Sequence, residues 1–307
     1  MNDPRAEAVE RLGGHYDARV LEPSPPAVTT GPWFADDPVA RGEPNGRAVV
    51  SPVSTGDVTW AELGARDAAL AAWCEERWLG PWRRLEAAPG DLVRTREALH
   101  RLGERVLSPA RAAANGKIAL RWTRGGFGTP FYGQDEQLRV DGVDLVRVAA
   151  GKERRAPITT LAEAARLAGV PIEGEAGELH ADPASAAFLG DWFGFAASVL
   201  EELRATAGPE LEPSRVQLWP EHFDMAVELG GEADGRRAGY GLSPGDGLHP
   251  EPYAYVVPWR APAPDGRLWN ASAFAGAELP YAELLAAPDQ RALALGFMRE
   301  RLAALTG

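Results

Sequence analysis

Residues 183–206 constrain the fold most, because large apolar side chains cover a wide sector of the helix that this stretch predicts. Asp182 and Pro183 are typical of an N-cap and the first helical position after it. The apolar side chains at helical spacing are Phe188, Leu189, Trp192, Phe193, Phe195, Ala196, Val199, Leu200 and Leu203. A sector this broad must pack against a sheet face or against another helix.

Stretches with a period of two predict the strands on both sides of this helix. Residues 138–140 and 143–148 form a predicted hairpin across Asp141 and Gly142, which favour a type I′ turn. After the helix, residues 216–229 predict one strand, with Pro220 at a bulge or edge near its start. The other predicted strands are 117–122, 237–242, 252–259 and 269–275, and residues 124–130 are a predicted glycine-rich turn.

Further helices are predicted from capping patterns and apolar spacing. Capping boxes at 59–62 and 160–163 open a helix to about residue 79 and a short helix that Gly169 ends. A helix over about 91–106 turns Leu92, Leu99, Leu102 and Val106 inward. The C-terminal helix begins near Pro288, with Leu293, Phe297, Met298, Leu302 and Leu305 inward.

Together these elements predict an α+β fold, with mainly antiparallel sheet packed by the helices at 183–206 and 288–305. We divide the chain into an N-terminal helix and Pro-rich strap (1–56), a helical segment (57–112) and an α+β domain (113–307). The last two are expected to form one compact unit. Seven prolines within 22–56 exclude a regular helix or a central strand there.

The order of elements also raises the hypothesis of two duplicated βββα units. Each β-rich block contains an aromatic residue followed by glycine and then a proline: Phe127-Gly128 before Pro130, and Tyr240-Gly241 before Pro244. Two such units would share a sheet or face each other, with a pocket at their junction.

Composition excludes several classes of partner. The net charge is −12 without a basic run, which disfavours nucleic acid and anionic membranes as partners. Cys74 is the only cysteine, so no internal disulfide forms. The N-terminal residues have no apolar signal region, and no run approaches the ~18–20 apolar residues of a spanning helix, so we expect a soluble cytoplasmic protein.

Residues 214–259 carry the candidate site, because two of the five histidines and several carboxylates lie there among prolines, glycines and aromatic residues. His222 and Asp224 are two positions apart on a predicted strand, so they should leave the same face. His249 and Glu251 repeat this spacing before the next strand. If these segments pair, imidazoles and carboxylates converge, as acid–base catalysis or metal binding requires. The alternative is that most of these residues have structural roles.

The leading functional hypothesis is a protein that holds a small molecule in an aromatic-lined polar pocket. His222 and Asp224 are the candidate catalytic residues, and Trp219, Tyr240, His249 and Glu251 are the candidate ligand-binding residues. One alternative is a metal-dependent hydrolase or oxygenase that uses His222, Asp224, His249 and Glu251. Another is a structural or interaction protein in which the strap at 22–56 binds a partner. Catalysis, any cofactor and the oligomeric state stay open.

The order of motifs over residues 117–260 resembles an uncharacterised bacterial family, a domain of unknown function. The matching pieces are Pro130-Phe131-Tyr132-Gly133, the aromatic-rich stretch 188–203, and Phe223-Asp224-Met225-Ala226-Val227. The resemblance implies an α+β fold and a soluble cytoplasmic protein. It implies no catalytic residue.

Overall fold

The structure is a computed structural model, and it describes residues 84–123, 125–130, 136–149, 152–172, 177–262 and 266–307. The N-terminal helix and Pro-rich strap predicted for 1–56, the helix predicted for 59–79 and Cys74 lie outside the described residues. So does most of the Pro130-Phe131-Tyr132-Gly133 motif.

The first half of the described chain is a helical segment followed by a five-stranded meander. Helix α1 (Leu92–Leu102) continues through a π-helical turn (Gly103–Leu107) into α2 (Ser108–Asn115). The strands are β1 (Arg121–Thr123), β2 (Gly126–Gly128), β3 (Gln137–Asp141), β4 (Asp144–Ala149) and β5 (Lys152–Pro157). Helix α3 (Leu161–Ala168) follows and leads to α4 (Pro183–Thr206).

The second half repeats this order of strands and then helices. A 3₁₀ turn (Pro209–Leu211) leads into β6 (Gln217–Trp219), β7 (Asp224–Leu229), β8 (Ala238–Ser243), β9 (Tyr253–Pro258) and β10 (Ala277–Pro280). The chain then forms α5 (Tyr281–Ala286) and α6 (Gln290–Thr306). The fold is therefore α+β with antiparallel sheets, as the sequence predicts.

Each meander forms its own antiparallel sheet, with the strands in sequence order. The sheets meet where Leu120, just before β1, pairs with Leu218 of β6. The two backbone hydrogen bonds of this bridge measure 2.7 and 2.8 Å. The first strand of one meander therefore lies beside the first strand of the other.

Helix α4 covers both sheets on one side. It packs against β1 and β2 of the first sheet and against β7 and β8 of the second, and also against α1 and α6. Trp192, Phe193 and Phe195 of α4 are fully buried in one apolar cluster with residues of both sheets and of α1. The broad apolar sector of this stretch is thus satisfied by two sheets and two helices at once.

Several local predictions are confirmed. The side chains of Thr160 and Asp182 accept hydrogen bonds from the N–H groups of Glu163 and Ser185 and cap α3 and α4. A β3–β4 hairpin forms in the predicted place, but Asp141 pairs with Asp144, so the turn residues are Gly142 and Val143 rather than Asp141 and Gly142. Of these two only Gly142 has a positive φ, of 61°, whereas a type I′ turn requires a positive φ at both, so the predicted turn type is wrong. Helix α3 ends at Gly169, as predicted. The side chains predicted to face inward from the helix over 91–106 are all buried.

The prediction of one strand over 216–229 is wrong, because the chain reverses after Trp219. Phe223 donates its N–H to the Trp219 carbonyl at 2.7 Å, and Phe223 adopts a left-handed φ of 56°. This conformation is rare for a bulky residue. It turns the Phe223 ring into the core against Phe127 and Phe193. The two halves become the antiparallel pair β6 and β7.

Other boundaries also differ from the predictions. The glycine-rich stretch 124–130 contains strand β2, which pairs with β1, rather than a turn alone. The last strand lies at Ala277–Pro280 instead of 269–275, and β5 and α5 were not predicted. Leu293 of α6 is 36% exposed rather than inward, while its neighbours Ala294 and Leu295 are buried.

The residue correspondence proposed for a duplication is wrong, although the two halves share their order of elements. Phe127 and Gly128 lie on the second strand of the first meander, whereas Tyr240 and Gly241 lie on the third strand of the second. The two motifs therefore occupy different positions in their sheets.

We predict opposite effects of alanine at two glycines. A Cβ at Gly128 would lie 2.4 Å from the Leu138 carbonyl oxygen, whereas a Cβ at Gly296, exposed on α6, meets nothing within 4 Å. Because backbone cannot yield as a side chain does, Gly128→Ala should lower the free energy of unfolding by about 2 kcal/mol or more. Gly296→Ala should raise it by up to about 1 kcal/mol. Urea unfolding measures both, and equal effects would contradict the close approach of β2 to β3.

Candidate functional site

The candidate site is a cavity of about 790 Å³ on the face of the second sheet that points away from α4. Alternation along the strands divides the side chains between the two faces. On β7, Asp224, Ala226 and Glu228 line the cavity, whereas Met225 and Val227 belong to the apolar core. Helix α4 thus covers the apolar face of the second sheet, and the polar residues of the opposite face line the cavity.

Strand β8 opens the cavity, because glycines occupy two of its three cavity-facing positions, the third being Ser243. Gly239 and Gly241 face the cavity side, while Tyr240 and Leu242 point into the core. A Cβ at Gly241 would lie 2.2 Å from Cζ of Tyr255. The ring of Tyr255, a residue of β9, therefore lies across β8 over Gly241, which has no side chain.

Tyr255 crosses β8 to reach Asp224 on β7. Its hydroxyl donates a hydrogen bond to Oδ2 of Asp224. The pKa of Tyr255 is raised well above its usual value, mainly by burial and secondly by the negative charge of Asp224. Tyr255 is thus a neutral donor at neutral pH, and it fixes the position of the Asp224 carboxylate.

A second aromatic donor reaches across β8 in the same way. Nε1 of Trp259, just after β9, donates to Oε2 of Glu228 on β7 at 2.8 Å. The guanidinium carbon of Arg237 lies 5.5 Å from the centre of the Trp259 ring, in a cation–π arrangement. Glu228 therefore forms one end of the cavity, and the indole N–H of Trp259 orients its carboxylate.

Asp246 is held in the turn between β8 and β9. Its carboxylate accepts hydrogen bonds from the backbone N–H groups of Leu248 and His249, at 2.7 and 2.8 Å, and from the Tyr253 hydroxyl at 2.7 Å. Burial acts to raise the pKa of Asp246, but these donors outweigh it and hold the pKa below its usual value. Asp246 is therefore a carboxylate at neutral pH.

His249 lies between two carboxylates at the edge of the site. Its Nδ1 is 3.3 Å from Oδ1 of Asp246, and its Nε2 is 3.1 Å from Oε2 of Glu278 on β10. Its ring packs on Tyr253 with the two centroids 4.4 Å apart. His249 thus connects the β8–β9 turn to β10, and both of its ring nitrogens are engaged.

Acidic and aromatic side chains dominate the cavity. Among the described residues that line it, none is lysine or arginine. The carboxylates are Glu221, Asp224, Glu228 and Asp246, and the aromatic residues besides His222 are Trp219, Tyr253, Tyr255, Trp259 and Phe274. Such a lining favours a positively charged or strongly hydrogen-bond-donating ligand.

The structure brings together three of the six predicted site residues. Trp219, His222 and Asp224 all line the cavity. Tyr240 does not, because its position on β8 alternates into the core, where it is fully buried. The other two lie elsewhere, His249 beside the cavity and Glu251 exposed on the surface, where its charge acts on Tyr281 of α5.

Several lining residues were missed, although some carried a sequence signal. Alternation from Asp224 places Glu228 on the same face, and alternation along β9 places Tyr253 and Tyr255 together. Trp259 and Phe274 could not be found in this way, because they lie outside the strands. Their place in the site depends on how the segments after β9 fold back.

The metal-ligand cluster proposed from His222, Asp224, His249 and Glu251 does not form. In the ranges that the structure describes, no three His, Cys, Asp or Glu side chains are grouped so that they could hold a metal ion. The physical reason is the turn at 220–223 and the separate position of Glu251, which keep the two pairs apart.

A second cavity, of about 1010 Å³, lies between α1 and the segments that precede α3 and α4. Its charged residues have both signs: Arg94, Arg101, Glu97 and Glu178, together with His100 and His180. Arg101 donates to the Glu178 carbonyl, and His180 contacts Asp91. Because its positive and negative side chains compensate one another, this cavity has no comparable preference for a ligand of one charge.

Comparison with protein-family models, with curated proteins and with solved structures gave no match for this chain. No helix of the described ranges is long and apolar enough to cross a membrane.

We predict a pH-dependent cost for Tyr253→Phe, which removes a donor to Asp246. A carboxylate with a lowered pKa stabilises the fold above its unfolded pKa of ~4, and this contribution is lost as the pH falls through the folded pKa. At pH 7 the variant should unfold more easily by about 1 kcal/mol, given the partial exposure of the pair. The difference should narrow below about pH 4.

Tyr281→Phe is the matched control, because the Tyr281 hydroxyl donates to the backbone carbonyl of Glu86, which does not titrate. Its cost should stay constant over the same pH range. Urea unfolding of both variants between pH 3 and pH 7 makes the comparison. A cost of Tyr253→Phe that is independent of pH would show that the hydroxyl does not act through the Asp246 charge.

Proposed function

We propose that this protein binds an organic cation, a small molecule with a guanidinium or ammonium group, in the cavity on the second sheet. The observation that carries the proposal is the composition of the cavity wall. Four carboxylates and five aromatic residues line it, and none of the described lining residues is lysine or arginine. This is the chemistry by which proteins recognise cations.

The carboxylates support the proposal because they are held in place before a ligand arrives. Asp224 and Asp246 each accept from a tyrosine hydroxyl, and Glu228 accepts from the Trp259 indole. Each of these three donors is neutral at neutral pH, since the pKa values of Tyr253 and Tyr255 are raised and an indole does not titrate. Preorganised groups reduce the entropy cost of binding.

The aromatic residues support a cation that also has an apolar part. Tyr253, Tyr255 and Phe274 are adjacent, with ring centroids 6.0 and 6.5 Å apart along the row. Aromatic faces attract a cation through their quadrupole and bury the carbon chain that carries it. An alkylguanidinium or alkylammonium ion satisfies both requirements.

In this proposal Trp219, His222 and Asp224 are binding residues. His222 is exposed on the β6–β7 turn and lines the cavity beside Glu221. Its position at the rim suits contact with the solvent side of a ligand. No reaction step is needed to explain the arrangement.

The test compares butylguanidine with butylurea, which has nearly the same shape but no charge. Isothermal titration calorimetry on the full chain should give a Kd on the order of 0.1–1 mM for butylguanidine at low salt. Butylurea should bind at least ~10-fold more weakly, because it lacks the charge–carboxylate interaction. Higher salt should weaken the binding of butylguanidine.

Asp224→Asn and Glu221→Gln should each weaken butylguanidine about 5-fold or more while leaving butylurea unchanged, since each removes one negative charge. Glu283→Gln is the matched control, because Glu283 is exposed on α5 and does not line the cavity. Equal affinity for butylguanidine and butylurea in the wild-type chain would reject the proposal. So would a loss of binding that is the same in the control.

A further inference from the structure

The cavity lies in a face that carries exposed apolar side chains. The described residues include five large apolar side chains that are exposed. Three of them belong to the β8–β9 turn or to the end of β9: Leu248 at 75%, Val257 at 36% and Trp259 at 43%. Exposed apolar groups beside a charged cavity are typical of a protein interaction site.

This face has no helix of the described chain on it. All described residues that line the cavity come from the stretch 219–275, which has no helix. Helices α4 and α6 pack against β7, β8 and β9. Their contacts lie on the opposite face, because Val227 and Val256 share the apolar cluster with Phe193 and Met298.

We propose that this face docks a second protein, which inserts one arginine side chain into the cavity and lays apolar neighbours of that arginine against Leu248 and Val257. The inference rests on the proposed cation-binding function and names the source of the cation. The arginine is expected on an exposed, basic and partly apolar segment of the partner.

Charge complementarity selects a basic partner. The wall of the cavity contributes four carboxylates, and Glu278 lies beside it in contact with His249. The whole chain has a net charge of −12. A long-range field of this sign accelerates the association of basic partners and repels acidic ones, and the effect weakens with salt.

Arginine fits the wall better than lysine. A guanidinium group is planar, stacks on aromatic faces and donates two parallel hydrogen bonds to a carboxylate. The chain already contains one such stack at this site, with Arg237 over Trp259. In the cavity wall, Tyr253 and Tyr255 donate to Asp246 and Asp224, so aromatic rings and carboxylates adjoin there.

A protein partner would cover more of the exposed apolar surface on this face than a free small molecule would. Leu248 is the most exposed large apolar residue of the described chain, and it does not line the cavity. A small cation that fills the cavity leaves Leu248 in water. A peptide segment that carries the cation has flanking residues that can cover it, which stabilises the complex by apolar burial.

The experiment uses the full chain and two pooled libraries of capped pentapeptides. In one library the central residue is arginine, and in the other it is citrulline, which has nearly the same shape without the charge. The four flanking positions vary among leucine, valine, phenylalanine and glycine. The tightest arginine peptides should bind at least ~10-fold more tightly than butylguanidine and than their citrulline counterparts.

Leu248→Ser separates docking from simple cation binding. It should weaken the selected arginine peptides about 3-fold or more and leave butylguanidine unchanged, because only the peptide reaches Leu248. Leu293→Ser is the matched control, since Leu293 is an exposed leucine on α6, in the helical layer on the other side of the sheet. It should change neither affinity.

The outcomes separate this inference from the proposed function. If butylguanidine binds but no arginine peptide binds more tightly, or if Leu248→Ser has no effect on the peptides, the docking inference is wrong and the cavity binds free cations. If neither ligand binds, both proposals fail. If sedimentation shows a dimer that Leu248→Ser dissociates, the face is occupied by a second copy of the chain and the inference is overturned.

Discussion

The packing of α4 against both sheets is the interaction on which the rest of the structure depends. Backbone hydrogen bonds join the two sheets of the described chain through the bridge between Leu120 and Leu218. That bridge alone would leave the sheets free to bend about their junction. Helix α4 crosses the junction and buries Trp192 and Phe193 against them, and each such large side chain contributes about 2–3 kcal/mol. The backbone bridge therefore joins the two sheets, and α4 fixes their arrangement by packing on both.

This arrangement decides where the cavity forms. Because α4 and α6 cover one face of the second sheet, every second residue of β7 and β9 must point to the other face. On β8 two of those positions are Gly239 and Gly241, so side chains from the neighbouring strand can lie across the middle of that face. Tyr255 does so and meets Asp224. The cavity is thus a consequence of the same alternation that builds the core.

The sequence predicts the class of fold and the elements with strong local signals, but not how distant segments meet. Capping at Asp182 and Thr160 and the presence of a hairpin at Gly142 depend on a few neighbouring residues, and these predictions were correct, although the predicted turn type was not. The reversal after Trp219 was missed because Phe223, a residue that normally avoids a left-handed φ, adopts one in exchange for burial among core aromatic rings. Tertiary packing outweighed the local preference.

The same limit applies to the candidate site. His222 and Asp224 both line the cavity. His222 lies on the β6–β7 turn and not on a strand, however, so the strand alternation from which their shared face was predicted does not apply to this pair. The spacing could not show that Glu251 points away, nor that Tyr240 faces the core, because a shift of one position along a strand changes the face. The aromatic donors that hold the carboxylates lie on a different strand or beyond it. Those contacts depend on register between strands, which no single stretch of sequence reveals.

The fold places two carboxylates of this face where their burial costs free energy. Asp224 and Glu228 are 6% and 2% exposed. Moving a carboxylate out of water costs several kcal/mol unless its surroundings compensate, and an apolar residue of similar size would stabilise a sheet at lower cost. The fold instead places a tyrosine and a tryptophan so that each donates to one of these carboxylates. Both donors are neutral, so each reduces the cost of burying a carboxylate without itself supplying a positive charge.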